Sequence, residues 1–183
     1  PAFAQDAPAD APPATEAPSN LINAGSYVLE PSVLDRIPEG RRVSIEREVF
    51  PALVARGRLF AVASDAEWID AGTPATYLAI SLALAEREGG GVSIDARVHR
   101  TAQVVDSVVE AGAVVADNAV VEGSLVFARA RVGPNASVRG SILGHDVVVG
   151  RGAQVQELSV VGDGGIVADG EILVGARRSE AES

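Results

Sequence analysis

The feature that most constrains this chain is a repeat of six residues that begins after Gly91. Val98 and Val104 stand six apart. Val108, Val114, Val120, Val126, Val132 and Val138 continue at that interval, and after a slip of one residue Leu143, Val149 and Val155 resume it. Small residues recur between these anchors, at Ala102, Ala136 and Ala153 and, shifted, at Ala130. Glycine follows some anchors, as in Val132-Gly133 and Val149-Gly150. A period of six fits neither the 3.6 of a helix nor the 2 of a plain strand. It is the period of a parallel β-helix, in which each unit is a short strand plus a corner. The anchor points into a narrow prism, the small residue fits at the corner, and stacked coils bury the anchors in one column. The expectation is a left-handed parallel β-helix over residues 92–176, with a polar tail at 177–183.

Composition agrees. Aromatic residues are only 4% of the 183 while apolar residues are 47%, so the core must be aliphatic, which suits strands. There is no cysteine, which excludes disulfides and thiolate metal sites. The two histidines cannot build a multi-histidine site, so any metal would be a hard ion on carboxylates, of the magnesium kind. A net charge of −10 argues against nucleic-acid binding. No apolar run approaches a membrane span, and a cytoplasmic location is expected. The chain starts at Pro1 and has no methionine, which reads as a processed chain or an excerpt of a longer one.

The first ninety residues follow a different grammar. Residues 1–19 hold five prolines among Ala, Asp and Thr and read as a flexible segment. Residues 21–29 read as a strand interrupted by a small pair, and Pro31 opens a short helix over Ser32–Ile37. Ser44 can cap a second helix whose Ile45, Val49 and Leu53 share a face, with Pro51 as a kink or restart. Leu59–Val62 and Trp68-Ile69-Asp70 read as strands. Thr73 as cap and Pro74 at the first position start a helix to about Glu88, with Leu78, Leu82 and Ala85 on one stripe.

Three of these segments carry a family resemblance. Asn23-Ala24-Gly25-Ser26-Tyr27-Val28 resembles the N-A-G-x-Y-V strand of sugar-nucleotide pyrophosphorylases. Ser44-Ile45-Glu46-Arg47-Glu48-Val49-Phe50-Pro51 is similar to their S-I-E-x-E-x-F-P segment. Trp68-Ile69-Asp70-Ala71-Gly72-Thr73-Pro74 is similar to their W-x-D-x-G-T-P turn. Order and spacing match, the hexapeptide tail follows in its place, and the mannose-1-phosphate guanylyltransferase group is the nearest in kind. The resemblance implies an α/β remnant over residues 20–91, the C-terminal part of a nucleotidyltransferase domain, ahead of the β-helix.

The implied reaction joins a sugar 1-phosphate to a nucleoside triphosphate and releases pyrophosphate. By resemblance, Asn23 and Gly25 face the sugar, Glu46 accepts hydrogen bonds from its hydroxyls, and Asp70 is one of two carboxylates on magnesium. Glu48, His99 and His145 are expected to be ordinary solvated residues.

The family's Gly-rich loop, G-x-G-T-R-L-x-P-L, has no counterpart here, since Gly89-Gly90-Gly91 follows a helix instead of opening one. The second magnesium carboxylate is also missing. Where the family carries F-x-E-K-P, this chain reads Phe3-Ala4-Gln5-Asp6-Ala7-Pro8, and residues 1–35 hold no Lys or Arg. The expectation is therefore a chain with no catalytic residue of its own, inactive when isolated, that contacts a sugar 1-phosphate or nucleotide sugar and forms a homo-oligomer through the β-helix. Two other readings stand beside it: a non-catalytic regulatory or assembly subunit, and a hexapeptide-repeat acyltransferase with His145 as base.

Overall fold

The computed structural model describes residues 21–179. The Ala/Pro-rich segment and the Phe3–Pro8 stretch lie outside the described residues. Two compact units, Pro1–Trp68 and Ile69–Ser183, make up the chain.

The second unit is a parallel β-helix of five coils. Fifteen short strands stack into three five-stranded sheets, every pair parallel. One sheet holds Arg97–Val98, Val114–Val115, Arg131–Val132, Val148–Val149 and Ile166–Val167. The next holds Gln103–Val105, Val120–Glu122, Ser137–Arg139, Gln154–Gln156 and Ile172–Val174. The last holds Val108–Val109, Leu125–Val126, Ile142–Leu143, Val160–Val161 and Arg177–Arg178. Three flat strands per coil, each a few residues long, give the left-handed β-helix expected from the hexapeptide period. The last strand, paired with Val160–Val161, carries the stack past Ala176 to Arg178.

The period differs from a plain six. Strand partners lie 17 residues apart, as in Arg97↔Val114 and Val114↔Arg131. A coil is thus two six-residue steps and one of five. The short step falls between Val104 and Val109, between Val121 and Val126, and between Val138 and Leu143. This moves the register of three expected anchors. Val109, Val115 and Val121 fill the prism at 0–1% exposure, while Val108, Val114 and Val120 are only half-buried. Each position is a Val-Val pair, so the sequence alone allows either member. The single slip at Val138 to Leu143 is real and is one of a recurring set. One coil is longer, with Val148↔Ile166 spaced 18 apart. The extra residue sits at Glu157-Leu158, both in the left-handed region at φ 56° and 60°.

The short corners carry a buried serine ladder. Ser107, Ser124 and Ser141 are 8%, 0% and 0% exposed. The Ser124 backbone N–H donates to Ser107 Oγ at 3.1 Å, and the Ser141 N–H donates to Ser124 Oγ at 3.1 Å. Each hydroxyl in turn donates to the carbonyl two residues back. A buried polar group without such partners would destabilise the fold, so the small hydroxyl is what lets this corner be dry. Ala113, Ala119, Ala130, Ala136 and Ala153 fill the other corners at 0–1% exposure.

Helix α3, Pro74–Arg87, packs on the third sheet of this unit. Leu78 and Leu82 meet Leu125, Ile142, Val108, Phe127 and Val160. That sheet is therefore apolar on both faces, which is why Val108 reads as core in the sequence without lying in the prism. Among the described residues no helix is long and apolar enough to cross a membrane.

The first unit is smaller. Helix α1 spans Pro31–Leu34, shorter than the expected Ser32–Ile37, with turn bonds continuing to Ile37. A π-helical turn, Ile45–Val49, runs into helix α2, Phe50–Val54. Pro51 lacks the N–H to bond back along the turn, so the wide turn gives way to a new helix there. Val33, Val49, Phe50 and Leu53 form the core, with Leu29, Ile37, Val43 and Ile45 against it. The expected face of Ile45, Val49 and Leu53 is thus the buried one. The strands expected at 21–29, 59–62 and 68–70 do not form. Those segments run without a ladder partner, and Val28, Phe60 and Val62 stand 87–103% exposed. A strand needs a ladder neighbour for its backbone groups, and among the described residues no ladder forms in these segments.

Candidate functional site

Three segments hold the residues expected at the site. The first is a tight loop at Asn23–Gly25. Asn23 Oδ1 accepts the Gly25 N–H at 2.9 Å, the local turn that Asn side chains favour. Gly25 takes φ +71°, which a side chain would resist, and a Cβ there would meet nothing within 4 Å. Among the described residues nothing covers the backbone at that point. Trp68 Nε1 donates to Ala24 O at 3.0 Å, tying the loop to the end of the first unit.

The second segment is the π-helical turn. Ser44 Oγ accepts the Arg47 N–H at 3.3 Å, and Glu48 reaches back to the Ser44 N–H at 3.2 Å. Glu48 also pairs with Arg41 at 2.8 Å. Arg41, and then the Ser44 N–H, hold the Glu48 carboxyl below its usual range. Glu48 is therefore a capping residue that sets the turn, more than the solvated position expected. With the turn fixed, Glu46 faces the Asn23 loop.

The loop and the turn meet through side chains. Asn23 Nδ2 donates to Glu46 Oε1 at 2.9 Å and to the Tyr27 hydroxyl at 2.6 Å. The Tyr27 hydroxyl donates to the same Glu46 Oε1 in a short bond. The carboxylate beside it, and to a lesser degree burial, push the Tyr27 phenol up from its ordinary value. The Tyr27 ring meets Phe50 edge-on at 4.9 Å between centroids. Tyr27 lies inside the resembling segment, four residues after Asn23. It is an aromatic with a polar tip, a type that seeks a hydrogen-bond partner.

Asn23, Gly25 and Glu46 thus come together in the first unit. Asp70 belongs to the second. Its Oδ1 accepts the Gly72 N–H at 2.9 Å, and a Cβ on Gly72 would lie 3.0 Å from that oxygen. Thr73 caps α3 by a reciprocal pair with Thr76, at 3.2 Å each way. Among the described residues no group of three or more His, Asp or Glu is placed to hold a metal ion. Asp70 alone does not make a magnesium site among the described residues. His99 and His145 stand at β-helix corners. His99 Nδ1 lies 2.9 Å from Thr101 Oγ1, and His145 Nδ1 lies 3.2 Å from Asp163 Oδ1 and packs by its ring on Phe127.

A hexapeptide β-helix preceded in sequence by a Trp-x-Asp-x-Gly-Thr-Pro turn and an Asn23–Glu46 pair defines a class, and comparison with known proteins specifies it. Residues 10–87 match the family described as Nucleotidyl transferase, and residues 90–177 match the GMPPB C-terminal domain. A mannose-1-phosphate guanylyltransferase of Mycobacterium tuberculosis is 43% identical over 108 residues, 57% of this chain and 30% of that protein. A probable mannose-1-phosphate guanylyltransferase 3 of Oryza sativa subsp. japonica is 33% identical over 167 residues, 82% of this chain and 46% of that protein. A mannose-1-phosphate guanyltransferase of Schizosaccharomyces pombe is 53% identical over 60 residues, 33% of this chain and 16% of that protein. The chain spans less than half the length of these relatives. It belongs to the sugar nucleotidyltransferase family, as a member with a C-terminal β-helix.

Proposed function

We propose that this chain supplies the sugar side of a nucleotidyltransferase that forms a GDP-mannose-like nucleotide sugar from a sugar 1-phosphate and a nucleoside triphosphate. The observation that carries the reading is the Glu46 carboxylate, held on one oxygen by Asn23 and Tyr27 beside the bare backbone of Gly25. A carboxylate fixed in this way can accept from two adjacent sugar hydroxyls with little reorganisation. Gly25 lets the ring approach the backbone. In the reaction a phosphate oxygen of the sugar 1-phosphate bonds to the α-phosphorus of the triphosphate, and the bond to the leaving pyrophosphate breaks. This chain's part is to bind and orient the sugar.

Asp70 is the residue we assign to magnesium, as one ligand among donors that the described residues do not supply. Magnesium takes few carboxylates and completes its shell with water and substrate phosphate, where it neutralises phosphate charge. The lack of a Gly-rich phosphate loop in the 183 residues supports a chain that does not turn over by itself. We also propose a homo-oligomer through the β-helix and a cytoplasmic location. Exposed Val148, Ile166, Ile172 and Val174 on two of its sheets support the first. A single monomeric mass by light scattering would remove it.

The absence of Lys and Arg from residues 1–35 favours a second reading, a regulatory or assembly subunit that binds a nucleotide sugar without reacting. Turnover separates the two. The chain is incubated with GTP, mannose 1-phosphate and magnesium, alone and as part of its full-length product, and pyrophosphate is measured. Release only by the full-length product supports the enzyme part. Release by neither supports the subunit. Release by the chain alone refutes the reading of its missing loop.

A further inference from the structure

We propose that Tyr27 is the positioning residue of this half-site: with the Asn23 amide it fixes Glu46 through Oε1 alone and leaves Oε2 to receive a ligand hydroxyl. That the ligand is a sugar rests on the proposed function; the positioning itself rests on the geometry.

The hydrogen-bond inventory is restrictive. Glu46 Oε1 takes two donors, the Tyr27 O–H and one Asn23 N–H. The same Asn23 nitrogen also donates to the Tyr27 oxygen, and Asn23 Oδ1 takes the Gly25 N–H. The Asn23 amide nitrogen is thus directed at Glu46 Oε1 and the Tyr27 oxygen together. Asn23, which the family resemblance places against the sugar, therefore acts here through Glu46. Oε2 takes no hydrogen bond from the described residues, so the carboxylate is one-sided.

Both ends of the clamp are anchored. The Tyr27 ring sits edge-on against Phe50, which is 8% exposed, and the Asn23 loop is tied through Ala24 to the Trp68 indole. Glu46 rides on a turn capped at Ser44 from two directions. Without the Tyr27 hydroxyl, Glu46 would keep one tether and could rotate to solvent. A freely rotating carboxylate must lose that freedom on binding.

The chain has two tyrosines and one tryptophan, which makes the test clean. Tyr77→Phe, on α3 in the other unit, leaves Tyr27 as the sole phenol. Ultraviolet titration of that variant should show Tyr27 ionising above the ordinary tyrosine range, because a phenolate beside the Glu46 carboxylate is disfavoured. Adding Glu46→Gln should lower the midpoint. An unchanged midpoint overturns the proposal, and this arm needs no ligand.

The second arm measures mannose 1-phosphate affinity through Trp68 emission. Tyr27→Phe keeps the ring on Phe50 and should weaken binding about ten-fold, the worth of one bond to a charged group. Glu46→Gln should weaken it at least as much, and the double variant no further. Additive losses would make Tyr27 independent of Glu46 and overturn the proposal. If the parent chain does not bind mannose 1-phosphate, the sugar reading fails and the titration alone decides the role of Tyr27.

Discussion

Val120 and Val121 adjoin on one strand of the β-helix, and replacing each by Ala separates the interior of the prism from its outside. Val121 is 0% exposed and Val120 is half-buried. Both substitutions remove the same two methyl-sized groups and the same strand preference, so those contributions cancel in the comparison. At Val121 the lost transfer energy is about 0.8 kcal/mol per group, or about 1.6 kcal/mol. The void adds to this, because a column closed above by Val104 and below by Val138 cannot collapse laterally. The expected loss is about 2–3 kcal/mol for Val121→Ala and below about 1 kcal/mol for Val120→Ala. In a chain of this size the difference separates the two melting points by about 3–8 °C. Urea and thermal unfolding followed by circular dichroism would measure it. Equal losses, or a larger one at Val120, would refute the seventeen-residue coil and restore an anchor at Val120.

Further outcomes follow from the corners and from one surface pair. Ser124→Ala leaves the Ser141 N–H without its partner in a dry corner, while the Glu122 carbonyl keeps the Gly140 N–H, and should cost about 1–3 kcal/mol in urea unfolding. Gly150→Ala places a Cβ 2.5 Å from the Asp169 backbone nitrogen and 2.7 Å from the Ala168 carbonyl carbon, so neighbouring coils must part; a melting point unchanged from the parent would contradict that crowding. The Arg129 guanidinium grips Asp146 with two bonds, at 2.8 and 2.7 Å, and holds its carboxyl below the ordinary range. The folded value is the lower one, so this contribution is present above the unfolded value and is lost as pH falls through the folded value. Arg129→Ala should therefore lower the melting point at neutral pH, where the contribution is present, and leave it unchanged once pH falls below the folded value, so the profile is flatter below about pH 4.

The β-helix was legible because its period is long and its corners demand small residues. The exact register was not, since Val-Val pairs at 108–109, 114–115 and 120–121 offer two anchors each. The five-residue step decides between them, and its marker was present as Ser107, Ser124 and Ser141, 17 apart. The caps at Ser44 and Thr73 were readable because they rest on local chemistry. The three strands expected in the first ninety residues failed for the opposite reason. Leu59–Val62 has the alternation of a strand, but a strand is a relation between segments, and no described neighbour pairs with it. Asn23 and Glu46, which the resemblance singles out, are brought together by hydrogen bonding. That Tyr27 binds both could not be read, because 19 residues and a π-helical turn separate it from Glu46.

The central claim is that this chain holds a sugar half-site built on Glu46. Calorimetric titration of the chain with mannose 1-phosphate, and separately with GTP, tests it most directly. Saturable binding of mannose 1-phosphate that is lost in Glu46→Gln, with no heat from GTP, is the predicted result. Binding of GTP without mannose 1-phosphate, or sugar-phosphate binding unchanged in Glu46→Gln, would contradict it.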